Sequence, residues 1–229
     1  MPLGHDIYGL DIETDTGAGS IDPAETRIRA IGLSVRNADR TFTGDEATIL
    51  RQVDEALADL PGGILATWNG ATFDLPFISD RARLLGVALD LTLCSDRRRR
   101  TTRALLPGHD GAYRATWGAH RHLDTFRIYG DSGSTGTFSA IFGFPRRRAA
   151  TIASTDDLLH EAMHAHAASD ARLARVLAER KGAGVLRYVD QVSEDEDRIG
   201  LDLAAAGQSA EDRMPVESVR VRPAVAGIA

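Results

Sequence analysis

The spacing of apolar and polar positions divides the chain into strands and helices. Strands are indicated where apolar residues alternate with polar ones, and helices where apolar residues recur every three or four positions. Leu10 and Ile12 share one face of a strand, whereas Ile49 and Val53 share one face of a helix. The pattern predicts strands at 6–14, 26–36, 40–43 and 64–68, a short apolar run at 123–126, and helices at 45–60, 75–86 and 156–180. This order favours an α/β domain with a mixed sheet flanked by helices.

Two segments lack these patterns. Residues 95–121 are rich in Arg, Thr, Gly and His, and we interpret them as an inserted loop. After residue 189, an acidic run at 193–197 is followed by residues without a clear apolar face. We therefore predict a domain at 1–189 and an acidic, partly mobile C-terminal tail at 190–229, whose protein partner is unknown.

Two carboxylates lie one residue apart on the first predicted strand. Because a strand alternates its faces, Asp11 and Glu13 point the same way. Two anions on one face repel each other unless a cation lies between them. A hard divalent metal with oxygen ligands is the usual cation in such a position, so this pair is the first half of a predicted metal site.

A second motif follows the strand at 64–68. Asn69 begins an Asn-Gly turn, and Asp74 lies at the start of the next helix, where the helix dipole tolerates negative charge. A plain helix cap is the alternative for Asp74. The apolar neighbours Phe73, Leu75 and Phe77 suggest a cleft in which a terminal base could stack.

A third motif lies in the last predicted helix. His166 and Asp170 are four residues apart and therefore share a helix face. The alternative is an ordinary surface hydrogen bond. His160 and His164 are local alternatives to His166 as a base.

Charge distribution changes the interpretation of the net charge of −6. Residues 190–229 have a net charge of −5, which leaves a net charge of −1 for residues 1–189. Arginine forks match phosphate oxygens, and solvated surface charge is the alternative. The domain holds two arginine clusters, namely Arg97, Arg98, Arg99 and Arg100, and Arg146, Arg147 and Arg148.

Cysteine content and hydropathy exclude several classes of protein. Cys94 is the only cysteine, so the chain has neither a disulfide framework nor a cysteine metal cluster. No apolar run reaches the roughly 18–20 residues that a membrane helix needs. We expect a cytoplasmic protein that has no membrane partner.

Taken in order, these motifs resemble those of the DEDD, or DnaQ-like, 3′-5′ exonuclease superfamily. The resemblance rests on Asp11-x-Glu13, on Asn69-Gly70-x-x-Phe73-Asp74-x-Pro76, and on Asp170 in a late helix, and it covers residues 6–180. The stretches 122–124 and 138–144 are similar to the branch related to the proofreading domains of family-B polymerases. The chain departs from the superfamily at one position. One branch of the superfamily has Tyr four residues before the last Asp, and another branch has His five residues before it. Here His166 has the four-residue spacing, and Ala165 precedes it.

The resemblance implies a ribonuclease H-like fold and hydrolysis of single-stranded nucleic acid from a free 3′ end, whether DNA or RNA. It implies two divalent ions, Mg²⁺ or Mn²⁺, held by Asp11, Glu13, Asp74 and Asp170, with His166 acting on the attacking water. Asn69, the apolar residues around Asp74 and both arginine clusters would contact the substrate. Two alternatives stay open: a non-catalytic nucleic-acid-binding module and a ribonuclease H-like endonuclease.

Overall fold

The computed structural model describes residues 5–15, 20–36, 38–96, 105–130, 156–192 and 198–199, with only the backbone described at 156–162 and 198–199. The elements, in chain order, are β1 (Asp6–Thr14), β2 (Ile28–Val35), β3 (Ala38–Thr43), α1 (Glu46–Ala58), β4 (Gly63–Thr67), α2 (Asp74–Leu85), β5 (Leu91–Ser95), β6 (Tyr113–Trp117), β7 (His120–Asp124), α3 (Phe126–Tyr129), α4 (Asp156–Lys181), a 3₁₀ helix (Gly182–Tyr188) and β8 (Arg198–Ile199).

In this part of the chain, eight strands form one mixed sheet in the order β3-β2-β1-β4-β7-β6-β5-β8. β1, β4 and β7 run parallel to one another, and the other neighbouring strands are antiparallel. The carboxyl ends of parallel strands meet at one edge of a sheet, which is where ligands bind in many α/β folds. Residues that end β1, β4 and β7 are therefore neighbours in space.

Helices cover both faces of the sheet. Tyr8, Leu10 and Ile12 of β1 pack with α1 and α2 in the main core, whereas Ile7 packs with α4. Because side chains alternate along a strand, Asp11 and Glu13 share the α4 face with Ile7.

Two glycines let α4 lie directly against the sheet. A Cβ on Gly9 would come within 1.8 Å of the carbonyl oxygen of Ala171, and one on Gly32 within 2.2 Å of that of Ala167. Any side chain at either position would push the helix away from β1 and β2. The sequence thus fixes a close helix–sheet contact at the level of Ala167–Ala171.

Most of the predicted elements are confirmed. The strand at 6–14 and the helices at 45–60, 75–86 and 156–180 lie within two residues of their predicted ends. The prediction of an inserted loop at 95–121 is wrong for its second half, because β6 and the start of β7 lie there. The buried positions of β6, Tyr113, Ala115 and Trp117, alternate with the half-buried Arg114 and Thr116, a period-two pattern that the interpretation as a loop overlooked.

The expected boundary at 189/190 falls inside a packed segment. Val189 and Asp190 are both buried, and Arg198–Ile199 pairs with β5. Residues 193–197 and 200–229, the rest of the predicted tail, lie outside the described residues, as do both arginine clusters. Among the residues described, no helix is long and apolar enough to cross a membrane.

Candidate active site

The first and third motifs meet where α4 lies on β1. Asp11 pairs across the sheet with Gly32, the residue that approaches Ala167 of α4. Asp170 is buried one helical turn after Ala167. The pairing therefore brings Asp11 beneath the turn of α4 that carries Asp170.

His166 joins α4 to the end of β1. Its Nδ1 is hydrogen-bonded to Oε1 of Glu13, and both side chains are partly buried. Since a carboxylate only accepts, the imidazole Nδ1–H is the donor, and in the neutral imidazole Nε2 carries the lone pair. His164, by contrast, makes its contact through its backbone carbonyl, which accepts from Thr41 Oγ1 at 3.4 Å.

Asp74 is more than a helix cap. It is the first residue of α2, its side chain is buried, and the N-cap position belongs to Phe73, which makes no side-chain capping bond. Burial, together with the negative charges of Asp124 and Glu13, raises the pKa of Asp74 from 3.8 to about 7. The backbone N–H groups of Asp74 and Ile12 act in the opposite direction by donating to the carboxylate. Asp74 therefore faces the end of β1 and its carboxylates.

Sequence reasoning missed Asp124, the last residue of β7. Its buried Oδ1 accepts from the backbone N–H of Asn69 at 2.8 Å and of Phe126 at 3.0 Å. Asn69 itself has a φ of 67°, a left-handed conformation that Asn tolerates. Asp124 thus holds the turn before Asp74 and adds to its negative surroundings. The signal in the sequence was an Asp at the end of a short apolar strand, but its neighbours depend on the strand order.

We call the five carboxylates at this edge the carboxylate cluster: Asp11, Glu13, Asp74, Asp124 and Asp170. The structure brings Glu13, Asp74 and Asp124 close enough to shift one pKa. Asp11 shares its strand face with Glu13, and Asp170 lies one helical turn after Ala167, which approaches Gly32, the strand partner of Asp11.

Two of the predicted substrate contacts are wrong. Leu75 and Phe77 are 0% exposed and pack in the core between the sheet and α2, so a base at the surface cannot reach them. Phe73 is only partly buried and packs against Phe77, with ring centroids 5.6 Å apart. Asn69 is half-buried, and its Oδ1 accepts from Thr72 Oγ1 at 2.9 Å. Of the three apolar residues, Phe73 keeps a surface that could meet a substrate.

The donor set suits a hard cation in kind, because carboxylate oxygens are the ligands that Mg²⁺ and Mn²⁺ prefer. Within the described residues, however, no three His, Cys, Asp or Glu side chains are already arranged as a metal site. His166 occupies one oxygen of Glu13, and Asp74 accepts from the backbone of β1. Metal binding at this edge thus requires carboxylate side chains to reorient.

A cleft of about 390 Å³ lies at the opposite, amino-terminal end of β1. His5, Asp6, Arg36 and Glu179 contribute its charged or polar side chains. None of the carboxylate cluster lines it, so the cleft and the candidate site are separate features of the fold.

Comparison with known proteins identifies the fold. No family model and no curated protein sequence matches the chain. The structure is similar to that of the family B DNA polymerase from the hyperthermophilic archaeon Pyrobaculum calidifontis, with a TM-score of 0.58, 18% sequence identity and coverage of 79% of this chain. The match spans 25% of the polymerase chain. The fold is therefore a ribonuclease H-like α/β domain, with a mixed sheet flanked by helices.

Proposed function

We propose that the protein is a metal-dependent 3′-5′ exonuclease that hydrolyses single-stranded nucleic acid. One observation carries the proposal: Asp74 is buried against Glu13 and Asp124, with its pKa raised to about 7, at the edge where the parallel strands end. Clustered anions destabilise a folded protein unless they bind a cation. Strongly shifted pKa values at such an edge are typical of functional sites.

The carboxylates would serve as ligands. Asp11, Glu13, Asp74 and Asp170 would hold two divalent ions, Mg²⁺ or Mn²⁺. When bound, such ions supply an activated water and stabilise the leaving oxygen of a phosphodiester. Asp124 would act indirectly, because its Oδ1 accepts from the backbone N–H of Asn69 and so positions the turn before Asp74.

His166 would act on the attacking water. Its Nδ1–H is directed to Glu13, so Nε2 is the nitrogen that can accept a proton. The hydrogen bond orients the imidazole beside a ligand carboxylate, which is where a base has to lie. Phe73 would stack on the terminal base, and the two arginine clusters would contact the phosphates.

Two other functions remain as competitors. A binding module without catalysis gains nothing from clustered anions, because they repel phosphates. An endonuclease with a ribonuclease H-like sheet would also use clustered carboxylates. The Asn69–Pro76 motif, which resembles that of the exonucleases, favours the first proposal.

The test uses 5′-labelled linear DNA and RNA single strands with Mg²⁺, Mn²⁺ or EDTA. We expect products that shorten stepwise from the 3′ end in either metal and no hydrolysis in EDTA. A circular single strand of the same sequence should resist. Equal cleavage of the circle would favour the endonuclease, and binding without any hydrolysis would favour the binding module.

A further inference from the structure

Three buried side chains form a hydrogen-bonded chain beside the candidate site. Thr67 Oγ1 lies 2.8 Å from Nε2 of His122, and Nδ1 of the same imidazole lies 2.8 Å from Oδ2 of Asp190. Thr67 ends β4, His122 lies in β7, and Asp190 follows the 3₁₀ helix. All three residues are almost completely buried. Sequence reasoning assigned no role to any of them.

The direction of each hydrogen bond follows from the chemistry of the groups. A carboxylate can only accept, so His122 donates its Nδ1–H to Asp190. In the neutral imidazole, Nε2 is then an acceptor, and the Thr67 hydroxyl donates to it. The oxygen of that hydroxyl accepts from the backbone N–H of Gly70 at 3.1 Å. Each group therefore donates to the next in the same direction: Gly70 N–H to Thr67, Thr67 to His122, and His122 to Asp190.

The Gly70 end of this chain reaches the turn that carries Asp74. A Cβ on Gly70 would lie 2.2 Å from Thr67 Oγ1, so the turn is pressed against the hydroxyl. The carbonyl of Gly70 accepts from the backbone N–H of Leu75 at 3.1 Å, in the first turn of α2. The position of Gly70 thus sets where α2 begins and where Asp74 points.

The Asp190 end is anchored just as firmly. Its backbone N–H donates to the carbonyl of His122 at 2.8 Å, and Arg127 Nη1 lies 3.2 Å from its Oδ1. The backbone N–H of Ala115 lies 3.3 Å from Oδ2. The segment that follows α4 is in this way tied to the strands β6 and β7 and to the helix α3.

A hydroxyl, an imidazole and a carboxylate in this order also form the triad of many hydrolases. Here the hydroxyl is 0% exposed, so no substrate can reach it. Its lone pair is also engaged by Gly70. The chain therefore holds a position and does not supply a nucleophile.

We propose that Thr67, His122 and Asp190 are positioning residues, which fix the 69–74 turn and, through it, Asp74 against β1. The effect on catalysis rests on the proposed function. The coupling of the Thr67–His122–Asp190 chain to the 69–74 turn does not. It follows that Asp190, the first residue of the predicted tail, belongs to the functional unit.

The first experiment measures the coupling without any substrate. In the metal-free full-length chain, Thr67→Val keeps the shape and removes the hydroxyl. We expect hydrogen exchange in residues 69–75 to become about 10-fold faster, as for the loss of one protecting hydrogen bond. Thr67→Ser should restore protection. The matched control is Thr26→Val, another buried threonine, whose hydroxyl donates to the Ser20 carbonyl at 2.9 Å; it should leave residues 69–75 unchanged.

A second measurement tests the direction of the chain. Nitrogen-15 NMR of the His122 ring should show the neutral Nδ1–H tautomer. An Nε2–H tautomer, or equal exchange in 69–75 for Thr67→Val and wild type, would overturn the proposal.

The same variants then connect the coupling to catalysis. Thr67→Val should lower kcat about 10-fold or more and weaken Mn²⁺ binding, while Thr67→Ser and Thr26→Val stay near wild type. Unchanged kcat and Mn²⁺ affinity despite faster exchange would overturn the positioning role. If the wild-type protein hydrolyses no nucleic acid, the proposed function fails, and exchange, tautomer and Mn²⁺ affinity still decide this inference.

Discussion

Two groups of buried polar side chains lie side by side at the ends of the parallel strands, and they balance charge in opposite ways. The carboxylate of Asp190 meets an imidazole N–H, an arginine and a backbone N–H. Asp74 meets two backbone N–H groups but also the charges of Glu13 and Asp124. The first arrangement stabilises the fold, whereas the second stores repulsion that only a proton or a cation relieves. The difference separates a site that holds the structure together from one that is prepared to bind.

The largest effect is expected from removing one ligand of the carboxylate cluster. Asp11→Asn should lower turnover by ~10⁴-fold or more, the scale on which loss of one member of a catalytic unit acts. The free energy of unfolding of the metal-free protein should not fall, because the variant reduces repulsion. The control is Asp59→Asn at the exposed end of α1. Turnover near the wild-type value in Asp11→Asn would remove Asp11 from the site.

His166→Ala should have the next largest effect. We expect turnover to fall by ~10²–10⁴-fold, the usual range for a general base, with Mn²⁺ affinity kept within a few-fold. His164→Ala is the matched control, since the described contact of His164 uses its backbone carbonyl. If His164→Ala is impaired and His166→Ala is not, the assignment of the base is wrong.

His122→Phe tests the first group, in which the carboxylate of Asp190 is neutralised by its hydrogen-bond donors. It should lower the free energy of unfolding by about 2–3 kcal/mol, because the Asp190 carboxylate loses its imidazole donor and keeps only Arg127 and the backbone N–H of Ala115 among the partners described above. His120→Phe is the control on the same strand, since His120 is also buried and bonds only to the neutral Leu57 carbonyl among the described residues, at 2.8 Å. The control should lose about 1–2 kcal/mol. Equal losses in urea unfolding would show that Asp190 is not the charged partner that matters.

Asp74→Asn tests the second group, the carboxylates around Asp74, through the pH dependence of the free energy of unfolding. The folded-state pKa of Asp74 is raised from 3.8 to about 7, so the unfolded chain loses its proton first as pH rises. Wild-type stability should therefore decline between the two pKa values and level off above the higher one.

In EDTA, Asp74→Asn should gain ~2–3 kcal/mol relative to wild type between about pH 5 and about pH 8, at 1.36 kcal/mol per pKa unit. Urea unfolding at the two pH values measures this gain. A difference between variant and wild type that does not change with pH would mean that burial and the neighbouring carboxylates do not raise the pKa of Asp74 in the folded protein.

Local pattern was sufficient for much of the molecule. The alternation over 6–14 placed Asp11 and Glu13 on one face, and the four-residue spacing placed His166 and Asp170 together on α4. These are properties of a single strand or helix, so neighbouring residues determine them. The period-two and period-3.6 geometries leave little choice once the element type is known.

Longer-range relations could not be obtained in this way. Leu75 and Phe77 flank Asp74 in the sequence, yet both face the core, because the rotation of α2 is set by what it packs against. Asp124 belongs to the stretch 122–124 that resembles the family but was assigned no role, and Asp190 lay in no recognised motif. Their importance depends on β7 lying next to β4 and on the chain returning to β7 after α4.

The sequence by itself determined most of the elements, the shared face of Asp11 and Glu13, and the kind of chemistry that the four predicted carboxylates allow. The tertiary structure alone decided which charges meet and which are neutralised. The physical reason is that burial and charge proximity act between residues far apart in the chain. Burial raises the pKa of Asp74 most, the charges of Asp124 and Glu13 add to it, and only the packed sheet brings those three side chains to one edge.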